Sequence, residues 1–121
     1  MNYDDNNIFA KILRGEIPCN KIYEDDFVLS FYDINPQKKI HALVIPKGKY
    51  IDLDDFNTNA SNDEIVGLMK GITIVSKKLG ISSIDGKGYR ALANISDYGG
   101  QEVPHLHFHL FGGEKVGKMV S

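Results

Sequence analysis

Apolar residues recur at three- and four-residue intervals at Ile8, Phe9, Ile12 and Leu13, the spacing that lines one face of a helix. Asp5-Asn6 stands before this run as a cap, Arg14-Gly15 supplies a basic last turn and a stop, and Pro18 blocks continuation. The pattern then changes to short apolar stretches, Lys21 to Glu24, Phe27 to Tyr32 and His41 to Pro46, separated by Asp25-Asp26 and by the turn formers Asp33-Ile34-Asn35-Pro36. These predict three strands in an antiparallel meander. A helical period returns from Ile65 through Leu68, Met69, Ile72, Val75 and Leu79, with Ser61 and Glu64 at capping-box spacing and Gly80 at the exit. Gly67 and Gly71 lie inside that helix, each costing up to ~1 kcal/mol relative to Ala; close approach by a neighbour and plain tolerance both account for them. After the Asp85-Gly86-Lys87-Gly88 turn, Tyr89 to Asn94 reads as a fourth strand, and His105 to Phe111 as a fifth bounded by Pro104 and Gly112-Gly113. The predicted order α-β3-α-β2 is that of an α+β domain with two helices and a mainly antiparallel five-stranded sheet.

Composition narrows the functions open to such a domain. The 121 residues are enough for one domain, 1–121, with no repeat or linker to divide it. Fourteen Lys and Arg against sixteen Asp and Glu give a net charge of -2, which provides no cationic field for a nucleic-acid partner. Any phosphate site must be local. The one cysteine, Cys19, cannot form an internal disulfide, and the opening Met1-Asn2-Tyr3-Asp4-Asp5-Asn6-Asn7 lacks the basic and apolar layout of a signal peptide, so a cytoplasmic protein is expected. No apolar run approaches the ~20 residues of a membrane span, and no membrane partner is expected.

Three of the four histidines fall in His105-Leu106-His107-Phe108-His109-Leu110-Phe111. Side chains alternate along a strand, so the three imidazoles share one face while Leu106, Phe108 and Leu110 enter the core from the other. Three readings follow. A solvent-facing strand that merely uses imidazole is the plainest. Metal binding is the second, because imidazole is a common zinc ligand. At about 3.3 Å per residue, however, His105 and His109 start about 13 Å apart, whereas nitrogens sharing one zinc lie within about 4 Å. A site of two of these histidines completed by His41 stays open. The third reading is nucleophilic catalysis, since an imidazole with an ordinary pKa near 6.5 offers a bare nitrogen at neutral pH, provided its other N–H is held by a carbonyl or a supporting side chain. Phosphorus suits it as electrophile, because the Gly99-Gly100-Gln101-Glu102 turn before the histidines can aim backbone N–H groups at an anion. Asp33 opens the Asp-Ile-Asn-Pro turn or accepts from a ligand, and Cys19 reads as a small packing residue.

The run His105-Leu106-His107-Phe108-His109-Leu110-Phe111 resembles, without a gap, the His-φ-His-φ-His-φ-φ signature of the histidine-triad (HIT) superfamily, φ being apolar. The likeness to its Hint branch of purine nucleoside phosphoramidases extends through Ile8-Phe9-Ala10-Lys11-Ile12, Glu16-Ile17-Pro18, Phe31-Tyr32-Asp33-Ile34-Asn35-Pro36-Gln37 and His41-Ala42-Leu43-Val44-Ile45-Pro46-Lys47. Gly88-Tyr89-Arg90, Asn94, Gly99-Gly100-Gln101 and the closing Gly112-Gly113 continue it. The resemblance implies a HIT-like fold, a homodimer joining two sheets, and an AMP or GMP moiety bound beside the triad. It implies hydrolysis of the P–N bond of purine nucleoside 5′-phosphoramidates through a covalent nucleotidyl-histidine, with no metal or other cofactor. His107 would be the nucleophile. His109 would bond the α-phosphate or the departing group, and His41 and His105 would fix the His107 ring from behind. Asp33 would accept from the ribose hydroxyls, while Ile8, Phe9, Ile17, Phe31 and Ile34 would line the base pocket. Asn94, Gly100, Gln101 and the Val103 backbone would form the phosphate end. Two departures stand out. Glu102 occupies a place where better-known members carry a small hydroxyl residue, and its carboxylate suits a cationic, lysine-like leaving group. Only Glu114 to Ser121 follows the glycine pair, in a region where tails select the leaving group in this family. The rival readings are a zinc-dependent hydrolase and a non-catalytic, nucleotide-responsive dimeric module.

Overall fold

In the computed structural model, which describes residues 2–119, the alternating apolar positions of the central strands are buried on two opposite faces of one sheet. Met1 of the polar opening and Val120 and Ser121 of the tail lie outside the described residues. The elements are α1 (Ile8–Leu13), β1 (Lys21–Glu24), β2 (Val28–Tyr32), β3 (Ile40–Pro46), α2 (Leu53–Asn59), α3 (Asn62–Lys78), β4 (Arg90–Leu92) and β5 (Phe108–Gly112). The meander β1-β2-β3 is antiparallel as expected, and β5 enters between β3 and β4 to give the order β1-β2-β3-β5-β4, antiparallel throughout.

One face carries Val28, Ala42, Val44 and Leu110, covered by Leu68, Ile72 and Val75 of α3. Burying a side chain such as Leu68 contributes about 1.5–3 kcal/mol, and this layer is the larger of the two cores. The opposite face carries Leu29, Phe31, Leu43 and Ile45 against Phe9 of α1. Cys19 lies at the margin of this second core, and burial raises its thiol pKa, in keeping with a packing role.

The expected helix after residue 61 is present as α3, with the reciprocal Ser61 and Glu64 capping box. Its two glycines are explained by close approach: a Cβ on Gly67 would lie 2.5 Å from Phe27 Cγ, and one on Gly71 would lie 3.0 Å from Val28 Cγ2. Three expectations need correction. The cap of α1 is Asn7, whose side chain accepts from the Ala10 N–H, instead of Asp5-Asn6. There are three helices and not two, because Asp52 caps an additional α2 that is pinned to the core by Phe56. The last two strands are shorter than predicted: β4 ends at Leu92, and β5 starts at Phe108, leaving His105 and His107 in the irregular approach to it. Among the described residues no helix is long and apolar enough to cross a membrane.

Candidate active site

The histidines meet on the α1 side of the sheet. His41 and Leu43 of β3 pair with Phe111 and His109 of β5, so His41 and His109 are diagonal neighbours on one face, with His41 Nε2 2.9 Å from His109 Nδ1. The approach to β5 is drawn into place by Leu106 N–H donating to the Tyr50 carbonyl at 2.8 Å. His105 and Leu106 are thereby fully buried, and His107 lies against Phe9, ring centroids 4.9 Å apart. His107 and His109 adjoin at 5.0 Å.

Main-chain atoms fix the proton on each ring, because a carbonyl only accepts and an amide N–H only donates. His107 Nδ1 is 2.7 Å from the His105 carbonyl, so it carries the proton and leaves Nε2 bare. His105 Nε2 donates to the Pro46 carbonyl at 2.9 Å, and its bare Nδ1 accepts from the Tyr3 hydroxyl at 2.6 Å. The Gln37 N–H donates to His41 Nδ1 at 3.1 Å, so His41 holds its proton on Nε2 and passes it as a donor to His109 Nδ1. His109 then presents Nε2–H. A bare nitrogen and an N–H donor thus stand on adjacent rings.

Burial keeps these rings neutral. Desolvation lowers the pKa of His107, opposed by its bond to the His105 carbonyl and by the charges of Asp33 and Glu102. Burial pushes His105 and His109 down to about 4 and lowers His41, where Asp33 opposes the shift.

The structure changes how the supporting residues are assigned. The group that fixes His107 is the main-chain carbonyl of His105, not the His105 ring, and the His41 ring reaches His109 instead of His107. The two readings of Asp33 are compatible: Oδ1 accepts from the Asn35 N–H at 2.8 Å and closes the turn, while Oδ2 lies 3.5 Å from His41 Nε2 at the edge of the site. The Gly100 and Gln101 amides were expected to face an anion, but they close the turn by donating to the Asp97 and Ser96 carbonyls. The Gln101 side chain braces the same loop, accepting from Ser96 N–H and donating to the Ile51 and Val103 carbonyls. Ser96 is held there at φ 60, a conformation uncommon outside glycine.

Glu102 is exposed beyond this brace, its neighbour Val103 is half-buried, and Asn94 is half-buried just after β4. Of the expected base-contacting residues, Phe9 and Phe31 are buried and stack edge-to-face at 5.6 Å, Ile17 is half-buried, Ile8 is exposed at one side, and Ile34 stands out at 86% exposure. A hollow of about 1140 Å³ lies elsewhere, between Gly80-Ile81, Lys87 to Arg90 and Glu114 to Val116 beside β4.

Donor atoms of Asp33, His41 and His109 lie within 4.8 Å of one another, a set able to hold a metal ion. It includes His41, as the open metal reading required, but only one histidine of the triad run. The hydrogen bonds oppose coordination, since the Gln37 amide occupies His41 Nδ1 and a cation on Nε2 would have to expel the proton held there. Tyr3 and the Gln37 amide are the two participants that sequence reasoning missed; a tyrosine in a polar opening and a backbone N–H carry no sequence signal.

The HIT domain family matches residues 14–116 of the chain. A HIT-like protein of Azospirillum brasilense is 50% identical over 119 residues, 98% of this chain and 95% of that one. The purine nucleoside phosphoramidase of Escherichia coli K12 is 39% identical over 117 residues, 97% of this chain and 95% of that one. Among solved structures, a HIT family hydrolase from Clostridium thermocellum superposes with a TM-score of 0.85 at 35% identity, covering 98% of this chain and 99% of that one.

Proposed function

The chain belongs to the HIT family, and from that premise we propose that it is a nucleotide-binding hydrolase cleaving the P–N bond of purine nucleoside 5′-phosphoramidates. The observation that carries the proposal is the bare Nε2 of His107, fixed by the bond from its Nδ1–H to the His105 carbonyl and set beside the N–H of His109. The 39% identity to a named purine nucleoside phosphoramidase supports the choice of substrate class.

On this reading His107 Nε2 attacks the α-phosphorus in line. A bond forms from phosphorus to Nε2 as the bond to the amine breaks; the amine leaves with that electron pair and takes a proton from solvent. Water then attacks phosphorus, its P–O bond forming as the bond to His107 breaks, and the nucleoside monophosphate departs while the water proton returns to solvent. Two displacements replace one difficult step. His109 Nε2–H donates to the phosphoryl oxygens, where charge develops. Asp33 Oδ2 receives the ribose hydroxyls, and Ile8, Phe9, Ile17, Phe31 and Ile34 face the AMP or GMP base. Asn94 and the Val103 backbone meet the phosphate, with Gly100 and Gln101 shaping the loop that presents them. The route uses no metal.

The protein is further proposed to act as a homodimer, for which β4, a sheet edge, offers strand pairing to a second copy, and to act in the cytoplasm, in keeping with its lone cysteine and polar opening. The test is AMP release from adenosine 5′-phosphoramidate with chelator present, comparing wild type with His107→Asn. Loss of at least about 10³-fold in the variant is expected for removal of a nucleophile, and undiminished activity overturns the assignment. The Asp33, His41 and His109 cluster motivates a metal-dependent second reading, which the chelator arm would reveal as lost wild-type activity.

A further inference from the structure

His105 is fully buried, and both of its ring nitrogens are occupied, one by the Pro46 carbonyl and the other by the hydroxyl of Tyr3. We propose that Tyr3 is a positioning residue, whose hydroxyl clamps the His105 ring and thereby steadies the His105 carbonyl that holds the Nδ1–H of His107.

A buried ring nitrogen needs a partner, and Tyr3 supplies the one at His105 Nδ1. With Nε2–H committed to Pro46, Nδ1 has only a lone pair to offer, and Tyr3 O–H meets it at 2.6 Å. A phenol keeps its proton at neutral pH, and burial moves the Tyr3 hydroxyl further in that direction. The tyrosine ring meets the His105 ring edge-to-face at 5.7 Å, and Phe9 closes another side of the same imidazole at 6.4 Å. Side chain and carbonyl of His105 are parts of one residue, so a ring pinned at both nitrogens restrains the peptide unit that accepts from His107 at 2.7 Å.

The segment that delivers Tyr3 is itself anchored. Asn7 N–H donates to the Asp4 carbonyl at 3.2 Å, Arg14 Nη1 donates to the Asp5 carbonyl at 2.8 Å, and Lys49 Nζ pairs with Asp5 Oδ1 at 2.7 Å. Lys49 adjoins Tyr50, whose carbonyl accepts from Leu106 N–H. The start of the chain and the approach to β5 are therefore tied to the same loop.

The kinetic part of this proposal rests on the nucleophilic reading of His107, and the spectroscopic part rests on geometry alone. The experiment compares wild type with Tyr3→Phe, which keeps the ring and removes only the hydroxyl. Long-range 1H–15N spectra of histidine-labelled protein report the proton position on each ring, and amide signals far from the site report folding. In Tyr3→Phe the His105 signals are expected to leave the single Nε2–H form and those of His107 to shift or broaden. The kcat for adenosine 5′-phosphoramidate is expected to fall roughly tenfold, the low end of what losing a supporting hydrogen bond costs at metal-ligating histidines, with KM within about twofold. Unchanged His105 and His107 signals overturn the proposal, as does an unchanged kcat in an active enzyme. A wild type without turnover refutes the proposed function, and the spectra still decide the role of Tyr3.

Discussion

The Nδ1 of His107 lies 2.7 Å from the carbonyl oxygen of His105, two residues earlier in the same chain. A bond this local fixes the proton of the ring through the main chain, and it forms where residues 105 to 107 lie outside the sheet ladder. In a regular strand that carbonyl would face a neighbouring strand. The late start of β5 at Phe108 is therefore part of how the site is made.

Acid should weaken the fold before it breaks ordinary carboxylate contacts. Unfolded histidines titrate near 6.5, whereas burial holds His105 and His109 at about 4. Between those values the unfolded chain binds more protons, so the stabilisation is complete above 6.5 and is lost as pH falls towards 4. For His105 alone the expected loss at pH 5 is about 2 kcal/mol. Urea unfolding midpoints at pH 7 and pH 5 measure it, and equal midpoints contradict it. The lowered His107 pKa also places the acid limb of kcat/KM below pH 6.5.

Glu102 should matter to the leaving group more than to the nucleotide. It is exposed, and its charge is felt at His107. Glu102→Ala is expected to lower kcat/KM for a lysine-like, cationic phosphoramidate roughly fivefold, the scale of an exposed ion pair of ~1 kcal/mol, while AMP affinity stays the same. Calorimetry with AMP beside steady-state kinetics separates the two effects; equal losses in both refute the leaving-group role.

Gly67→Ala should destabilise the protein although Ala is the better helix former. The added Cβ would lie within 2.7 Å of both Cβ and Cγ of Phe27, near the root of that side chain where rotation gives little relief. Overpacking of about 1–3 kcal/mol outweighs the gain in propensity of up to about 1 kcal/mol. A net loss on the order of 1 kcal/mol should appear as a lower Tm, and a higher Tm would show that Phe27 yields.

Most of the sheet was legible because burial on two faces leaves a strong pattern: β1 has the expected bounds, and β2 and β3 differ from expectation by one residue at the start. At the start of β2, Asp25 Oδ1 takes the Phe27 and Val28 amides, a local side-chain bond that competes with the ladder. The helix α2 was missed because Leu53-Asp54-Asp55-Phe56-Asn57-Thr58-Asn59 is rich in turn formers. Its stability comes from the Asp52 cap and from Phe56, which is 1% exposed. The candidate histidines were legible as a cluster, but their couplings were not, since those run through carbonyls, an amide and a distant tyrosine.

The Gln37 amide, and the Pro46 and His105 carbonyls, belong to the backbone and are the same atoms whatever side chains those positions carry. Amino-acid drift at 37 or 46 can therefore alter the periphery of the cleft while the direction of each imidazole's proton is inherited unchanged. Proline at 37 is the exception. It would erase the amide, free the ring of His41 to reverse its tautomer, and turn the proton seat of His109 around with it.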